Sequence, residues 1–449
     1  MRPVLFSAVA IDSQSNVFKM MSLISGLPAI VRVLLVFIII LIAVRKRVSL
    51  GNSFLMGSVA LGFLFGLAPK PLAMTMFNSI IYPKTLSLGI IVSLILILSN
   101  SLEMAGQMQR LLSEFKGLVS NPRINLVVFP ALIGLLPMPG GAVFSAPMVK
   151  DLGRDLNLSN SKLSYINYWF RHIWEYSWPL YPGILLVTIL SDLNIVTFVL
   201  YMFPLTVLAT CFGYWPLRDQ KRLFKEEKPT KSKRSVKPFL KELVPILIVI
   251  IPGLLLGVVF SLFFPQLSIA KELGLHIALI MGIGLVWVTN GLNKKQIWQL
   301  LSSFQILTMI YMVITILVFK GVLENSNAAA EISQELLRLK VPLLLIAMIL
   351  PFLIGMIAGY TLAYVGVALP ILIPLVHTFG ETQYMFPYVM IIMVCGFLGV
   401  LFSPLHLCYI LSNEFFGTTM RPVYKHLWLP CLGVFCSALL YFWLSYWLI

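Results

Sequence analysis

The sequence predicts an all-α polytopic membrane protein, with about ten transmembrane helices and two re-entrant hairpins. First, 59% of the 449 residues are hydrophobic and only 11% are charged, whereas soluble domains carry about 25% charged residues. Second, apolar runs of about 20 residues, the length that crosses a hydrocarbon core, recur along the whole chain. Third, basic residues cluster beside these runs, as they do in cytoplasmic loops of membrane proteins.

The apolar runs that are long enough for one crossing define the ten expected spans. They cover residues 24–44, 51–68, 80–101, 165–190, 194–216, 242–264, 272–290, 298–323, 384–412 and 426–448. Two further apolar stretches, 122–150 and 341–377, are too long for one span and are interrupted by Pro and Gly. Because these residues end helices, we expect each stretch to form a re-entrant hairpin.

The charge pattern orients the chain. Residues 217–241 hold ten Lys and Arg residues, which indicates a cytoplasmic linker between two halves. We count spans outward from this linker and let each hairpin enter and leave the membrane on the same side. Further basic residues then also lie on the cytoplasmic side. These are Arg45, Lys46, Arg47, Lys116, Arg123, Lys150, Arg154, Lys294, Lys295, Arg421 and Lys425. A topological role therefore accounts for the net charge of +16, and no nucleic-acid partner is expected. Arg32, within the first span, is expected to extend to the membrane surface.

The two halves resemble each other. Leu102-Glu103 recurs as Leu323-Glu324, and the pattern Pro-x-Leu-Ile-Gly at 130–134 recurs at 351–355. Each half has three spans, a hairpin, one long span with a Pro break, and one more span. Five spans are an odd number, so we expect inverted repeats, which are typical of secondary transporters. The predicted units are an N-terminal segment 1–23, a first repeat 24–216, the linker 217–241 and a second repeat 242–449.

Four helix breaks are predicted, in two symmetric pairs. The hairpin tips lie at 137–142 and 358–361, and the long spans break at 177–183 and 402–406. A single Pro is explained by a kink in a packed helix. Breaks at four matching places favour a binding site, because freed backbone polar groups must be buried or face a water-filled cavity, and half-helix ends attract ions.

Ionisable residues precede the Pro break at 177–183 in the first long span. Arg171, His172 and Glu175 lie within an apolar span, where charged groups are costly and usually face a cavity or each other. Arg171 and Glu175 are four residues apart, so they could simply pair on one helix face. Alternatively, Arg171 binds a carboxylate or phosphate while Glu175 or His172 takes a proton. His406 occupies the matching break of the other half.

The complete candidate set combines these residues with the hairpin tips. Expected to bind a solute are Pro139, Gly140, Gly141, Ser145, Arg171, His172, Trp178, Gly359, Thr361, Ser403 and His406. Proton or ion coupling is expected at Glu175 or His172. The five cysteines show no CxxC or zinc spacing, so no metal site or cofactor beyond a coupling ion is predicted.

Three stretches carry a resemblance to a known family. They are PMPGGAVFSAP (137–147), NYWFRHIWEYSWPLYPG (167–183) and GVLFSPLHLCYIL (399–411). They resemble a prokaryotic membrane family, the domain of unknown function 401, which is grouped with the ion transporter superfamily. The resemblance implies a homodimer in the cytoplasmic membrane, with a scaffold domain and a mobile transport domain that moves like an elevator. The Ser-Asn-Thr signatures of that superfamily's dicarboxylate branch are absent from both tips here, which argues against sodium-coupled dicarboxylate transport.

The leading functional hypothesis is a secondary active transporter for a small anionic solute, coupled to H⁺ or Na⁺. An alternative is a cation/proton antiporter with Glu175 as the shared carboxylate. A third interpretation is an intramembrane enzyme in which His172 and Glu175 hold a metal with His406. The chain contains no GxxxxGK[ST], HExxH or GxSxG motif, so we expect neither ATP hydrolysis nor an enzyme.

Overall fold

Apolar helices dominate the protein, as the composition predicts. The computed structural model describes residues 26–119, 121–137, 140–217 and 235–448. Of these residues, 83% are helical, and none of them forms a strand. The predicted N-terminal segment 1–23 and most of the linker 217–241 lie outside the described residues.

The helices are numbered in chain order. Before the linker they are α1 (Ala29–Arg45), α2 (Leu50–Leu64), α3 (Pro69–Ile81), α4 (Pro83–Met104), α5 (Gln107–Leu118), α6 (Pro122–Gly134), α7 (Ala142–Asp155), α8 (Asn160–Arg171), α9 (Pro182–Ser191) and α10 (Ile195–Tyr214). After it they are α11 (Lys237–Phe263), α12 (Ala270–Thr289), α13 (Lys294–Leu301), α14 (Phe304–Asn325), α15 (Ala328–Arg338), α16 (Leu343–Ala358), α17 (Thr361–Thr378), α18 (Met385–Phe402), α19 (Leu407–Phe416) and α20 (Met420–Leu448).

Eight helical segments among the described residues are long and apolar enough to cross a membrane. They are Pro83–Met104, Ile195–Leu217, Lys237–Phe263, Ala270–Thr289, Lys294–Asn325, Thr361–Thr378, Thr382–Phe416 and Met420–Leu448. The predicted spans 24–44, 51–68 and 165–190 correspond instead to shorter helices: α1, α2, and the pair α8 and α9. Eight such segments indicate an integral membrane protein.

The predicted interruptions are confirmed as helix ends. The first hairpin consists of α6, which ends at Gly134, and α7, which begins at Ala142. The second is α16 and α17, separated by Gly359 and Tyr360. Both long spans are broken, between α8 and α9 and between α18 and α19.

The order of helices repeats along the chain. Helices α14, α15 and α16 each begin 221 residues after α4, α5 and α6, respectively. Helices α19 and α20 each begin 225 residues after α9 and α10. The two halves therefore place a short helix, a hairpin, a broken helix and a long helix in the same order.

The short helices α5, α13 and α15 were not predicted, because their polar faces interrupt the apolar runs that define spans. In α15, Glu331 pairs with Arg32, and Glu335 accepts hydrogen bonds from the backbone N–H groups of Ala29 and Ile30 at 2.5 and 3.0 Å. These N–H groups belong to the first turn of α1, where an acidic side chain is favourable.

Arg32 itself corrects an expectation. Its side chain does not extend to the surface: the residue is 7% exposed, and its guanidinium lies 4.2 Å from the centre of the Phe65 ring. The guanidinium also donates to the Leu64 carbonyl at 3.3 Å. With Glu331, whose side chain is 45% exposed, these groups give the guanidinium partners within the protein.

Each hairpin packs against the broken helix of its own half, and the two halves interlock. Helix α6 packs on α8, and α16 packs on α18. Helix α9 of the first half packs on α17 of the second, while α19 packs on α7 and α8. Both hairpin turns and both breaks consequently meet in one region.

Equivalent glycines make the contacts within each half possible. A Cβ atom on Gly134 would lie 2.2 Å from the Arg171 carbonyl oxygen. A Cβ atom on Gly355 would lie 2.1 Å from the Gly396 carbonyl oxygen. Only glycine allows helices to approach this closely, which gives a physical reason for the repeated Pro-x-Leu-Ile-Gly pattern.

Candidate binding site at the helix breaks

A cavity of about 260 Å³ lies where the two hairpin turns meet the two helix breaks. Its lining residues are Pro137, Gly140, Arg171, His172, Glu175, Tyr181, Pro182, Gly183, Met309, Ala358, Gly359, Tyr360, Thr361, Leu362, Leu405, His406, Leu407 and Cys408. Ligand pockets for drug-sized molecules occupy roughly 300–1,000 Å³. The size of this cavity therefore suits a smaller solute.

Side chains from the first break hold the end of the first hairpin arm. The indole N–H groups of Trp174 and Trp178 donate to the carbonyls of residues 131 and 135 at 2.8 and 2.9 Å. The Tyr181 hydroxyl donates to the carbonyl of residue 134 at 2.7 Å. Carbonyls at a helix end have no partner within the helix, so these bonds satisfy the polar end of α6 away from water.

Arg171 places a positive charge beside the cavity. It is the last residue of α8, is 3% exposed, and donates from Nη1 to the Ile133 carbonyl at 3.3 Å. A Cβ atom on Gly141 would lie 2.5 Å from Nη2 of Arg171. The first hairpin turn thus comes directly against the guanidinium, and the glycine makes room for it.

Glu175 follows in a 3₁₀ turn, Ile173–Tyr176, and its carboxylate accepts a hydrogen bond from the Thr361 hydroxyl at 3.2 Å. The helix-face pairing with Arg171, which the spacing of four allowed, requires a continuous α-helix. The α-helix ends at Arg171, and a 3₁₀ turn has a different angular spacing. The two charged groups consequently have different hydrogen-bond partners, and Glu175 bridges to the second hairpin.

Two histidines, one from each break, meet at the cavity. The Nε2 atoms of His172 and His406 are 3.2 Å apart. Each Nδ1 atom faces a backbone carbonyl: His172 contacts Tyr168 at 2.6 Å, and His406 contacts Gly359 at 2.9 Å. The two rings are therefore held on both sides, by each other and by backbone oxygen atoms.

Cys408 completes this cluster. Its Sγ atom and one ring nitrogen of each histidine all lie within 4.8 Å of one another, and all three residues are buried. Sequence reasoning missed Cys408, because it considered only CxxC-type and zinc-finger spacings. The arrangement His406-Leu-Cys408 directly after a Pro break was the signal that could have identified it.

The second hairpin turn depends on Gly359. Its φ angle is +66°, a conformation that favours glycine. A Cβ atom there would lie 2.7 Å from the Ser403 hydroxyl oxygen. Ser403 accepts a hydrogen bond from the Leu405 N–H at 3.2 Å, which satisfies a backbone donor within the second break.

The structure brings seven of the predicted site residues to the cavity. They are Gly140, Arg171, His172, Glu175, Gly359, Thr361 and His406. Gly141, Ser145, Trp178 and Ser403 are not among its lining residues, although Gly141 and Ser403 contact residues that are. Pro139 lies outside the described residues. A role for any of them in binding stays a prediction.

Ser145 belongs to a separate buried polar network. Its hydroxyl donates to Asn167 Oδ1 at 2.5 Å, and Asn167 Nδ2 donates to the Ser412 hydroxyl at 2.9 Å. These bonds join α7, α8 and α19.

Sequence reasoning also missed Tyr181 and Tyr360, which line the cavity, because aromatic residues are frequent in every span of this chain.

These features define a multispanning helical membrane protein with a polar cavity where interrupted helices meet. The chain belongs to the DUF401 family, described as a protein of unknown function, whose family model matches residues 29–449. No curated protein matches the chain.

Proposed function

We propose that this protein is a secondary active transporter for a small anionic solute. The observation that carries the proposal is the cavity of about 260 Å³ at four helix interruptions, beside the buried guanidinium of Arg171. Discontinuous helices with binding groups at their ends are typical of secondary transporters. A buried positive charge binds a carboxylate or phosphate much more strongly than an exposed one.

The repeated helix order supports a duplicated architecture, and we propose that the two repeats are inverted. The constant offset of 221 residues across three successive helices is difficult to explain without a duplicated unit. In this proposal the α6/α7 and α16/α17 hairpins are re-entrant, and the first repeat covers 24–216 and the second 242–449. We further propose that a transport domain moves like an elevator. The protein would be a homodimer among the lipids of the prokaryotic cytoplasmic membrane.

Coupling to H⁺ or Na⁺ is assigned to Glu175. Its carboxylate lines the cavity and is bonded to Thr361 of the opposite hairpin. An ion on this carboxylate would remove negative charge next to the anion site, and would thereby make solute and ion binding mutually dependent.

The proposal is tested first by binding. Purified protein is heated with a panel of small organic acids and inorganic anions, since a ligand at 100 times its Kd stabilises the native state by about 2.7 kcal/mol. Acids that raise the melting temperature are then offered to proteoliposomes with a proton or sodium gradient. Gradient-dependent uptake supports the proposal. If no organic or inorganic anion is moved with or without a gradient, the proposal fails.

A cation/proton antiporter is the second candidate, and the position of Glu175 favours it. Glu175 is the acidic residue among those that line the cavity. This function predicts Na⁺-dependent proton release from proteoliposomes without any organic solute, and Glu175→Gln should abolish it. Glu324→Gln, at an exposed residue of α14, is the control. Proton release that persists in Glu175→Gln would eliminate this candidate. We propose no enzymatic activity for the cavity.

A further inference from the structure

We propose that His172, His406 and Cys408 form a binding site for a transition-metal ion of the Zn²⁺ class. The three side chains come from the two helix breaks, are buried, and bring one nitrogen or sulfur atom each to within 4.8 Å of the others. The inference depends on this geometry alone and not on the transport function.

The hydrogen bonds of the histidines determine which nitrogen atoms are available. A backbone carbonyl only accepts hydrogen bonds, so Nδ1 of His172 and Nδ1 of His406 each carry the hydrogen toward Tyr168 and Gly359. In the neutral rings both Nε2 atoms then present lone pairs. Two lone pairs at 3.2 Å repel each other, and a cation between them removes the repulsion.

The same pattern is the usual outer shell of a metal-bound histidine. Such histidines donate their second ring N–H to a carboxylate, a carbonyl or water, which fixes the ring and its tautomer. Here both histidines have a carbonyl partner in this position. Gly359, whose turn depends on its φ of +66°, supplies one of these carbonyls.

The distances suit a metal ion. Zn–N bonds of about 2.0–2.1 Å in tetrahedral geometry separate two ligand nitrogen atoms by about 3.3 Å, close to the 3.2 Å observed. With a Zn–S bond of about 2.3 Å, nitrogen and sulfur are about 3.6 Å apart. Cys408 Sγ lies within 4.8 Å of one ring nitrogen of each histidine, so rotation and small shifts of its short side chain would bring it to bonding distance.

The sulfur atom adds a third side-chain ligand to the two histidine nitrogen atoms. Without an ion, Cys408 hydrogen-bonds the two histidines, so metal–sulfur coordination is the feature that distinguishes a bound metal ion. Two imidazoles and a thiolate favour Zn²⁺, Co²⁺ or copper over Mg²⁺ and Ca²⁺, which prefer oxygen ligands. Three protein ligands also leave a fourth position open, and all three ligands line the cavity, so water or a solute can occupy it.

A bound ion would change the charge of the cavity. With Glu175 ionised, its charge cancels that of Arg171. A divalent ion held by the Cys408 thiolate adds one net positive charge, because metal-bound cysteine is deprotonated. This consequence rests on the proposed anion transport; the metal site itself does not.

Metal binding is tested on the full-length protein in detergent after removal of metals with a chelator. We expect one equivalent of Zn²⁺ to bind, and one equivalent of Co²⁺ to give a thiolate-to-metal charge-transfer band. Cys408→Ser should abolish the band and weaken Zn²⁺ binding by more than about tenfold, since loss of an outer-shell partner alone costs about 10- to 100-fold. Cys431→Ser, at another buried cysteine, is the matched control.

X-ray absorption at the zinc edge of the wild-type protein provides a test that no variant's folding can obscure. Two nitrogen ligands and one sulfur ligand are expected. The proposal is overturned if the stripped protein binds no stoichiometric Zn²⁺, if sulfur is absent from the ligand shell, or if folded Cys408→Ser keeps both the affinity and the band.

Discussion

Arg171 and its neighbours explain how a charged side chain is retained among apolar helices. The guanidinium has the Ile133 carbonyl on one side and the backbone of Gly141 on another. A buried charge without such partners costs several kcal/mol. The backbone of the first hairpin therefore stabilises the cation where it lines the cavity.

Replacement of Arg171 tests this role. Hydrogen bonds to charged groups contribute about 1.5–3 kcal/mol, so Arg171→Ala should weaken binding of the identified anion by about ten- to a hundredfold. Arg171→Lys should retain part of the affinity, because it keeps the charge but loses the planar fork. Isothermal titration of the solubilised protein measures both.

Lys162→Ala is the matched control, because Lys162 is a basic residue of the same helix that is not among the cavity-lining residues. We expect its affinity to equal that of the wild type. Unchanged affinity in a folded Arg171→Ala protein would show that the anion does not bind at this guanidinium.

Individual cavity-lining residues were predictable from the sequence to the extent that their chemistry is unusual in an apolar span. Arg171, His172 and Glu175 fall into this group, and His406 was identified by its place in the matching break. Cys408 was not, because its significance arises only when the second break folds back against the first. Trp178 was expected to bind a solute. In the structure its indole N–H donates to the Leu135 carbonyl, a contact that the sequence alone does not reveal.

At the scale of helices, the interruptions were predictable and the polar short helices were not. Proline and glycine determine where a helix must end, and all four predicted breaks coincide with helix ends. Helices α5, α13 and α15 lack the apolar length of a span. The role of α15 depends on contacts of Glu331 and Glu335 with a helix about 300 residues earlier, which no local pattern reveals.

The close approach of α16 and α18 makes a second prediction. Gly355→Ala should separate these helices, because the new Cβ atom would lie 2.1 Å from the backbone oxygen of Gly396. Overpacked substitutions typically cost about 1–3 kcal/mol. The melting temperature of the purified protein should therefore fall by several degrees, together with solute binding.

Gly284→Ala on α12 provides the comparison, since a Cβ atom at Gly284 would meet nothing within 4 Å. Alanine has a higher helix propensity than glycine, so this variant should be as stable as the wild type or slightly more stable. Equal melting temperatures for the two variants would contradict the tight packing of α16 on α18.

At the scale of the whole molecule, hydropathy predicted the membrane class but not the number of long helices. Eight segments satisfy length and composition, whereas ten spans were expected. Three expected spans are missing because α1 and α2 are short and because α8 and α9 are two separate helices, while α17, within the predicted hairpin 341–377, is long enough to count as one. The breaks bring backbone ends and ionisable side chains together within the protein.

Uptake by proteoliposomes tests the central claim most directly. Protein reconstituted in lipid is given a radiolabelled anion that raises its melting temperature, with an inward proton or sodium gradient. We predict gradient-driven accumulation by the wild type and Lys162→Ala, and a loss of at least tenfold for Arg171→Ala. Accumulation that is the same in folded Arg171→Ala as in the wild type, or that requires no protein, would contradict the account.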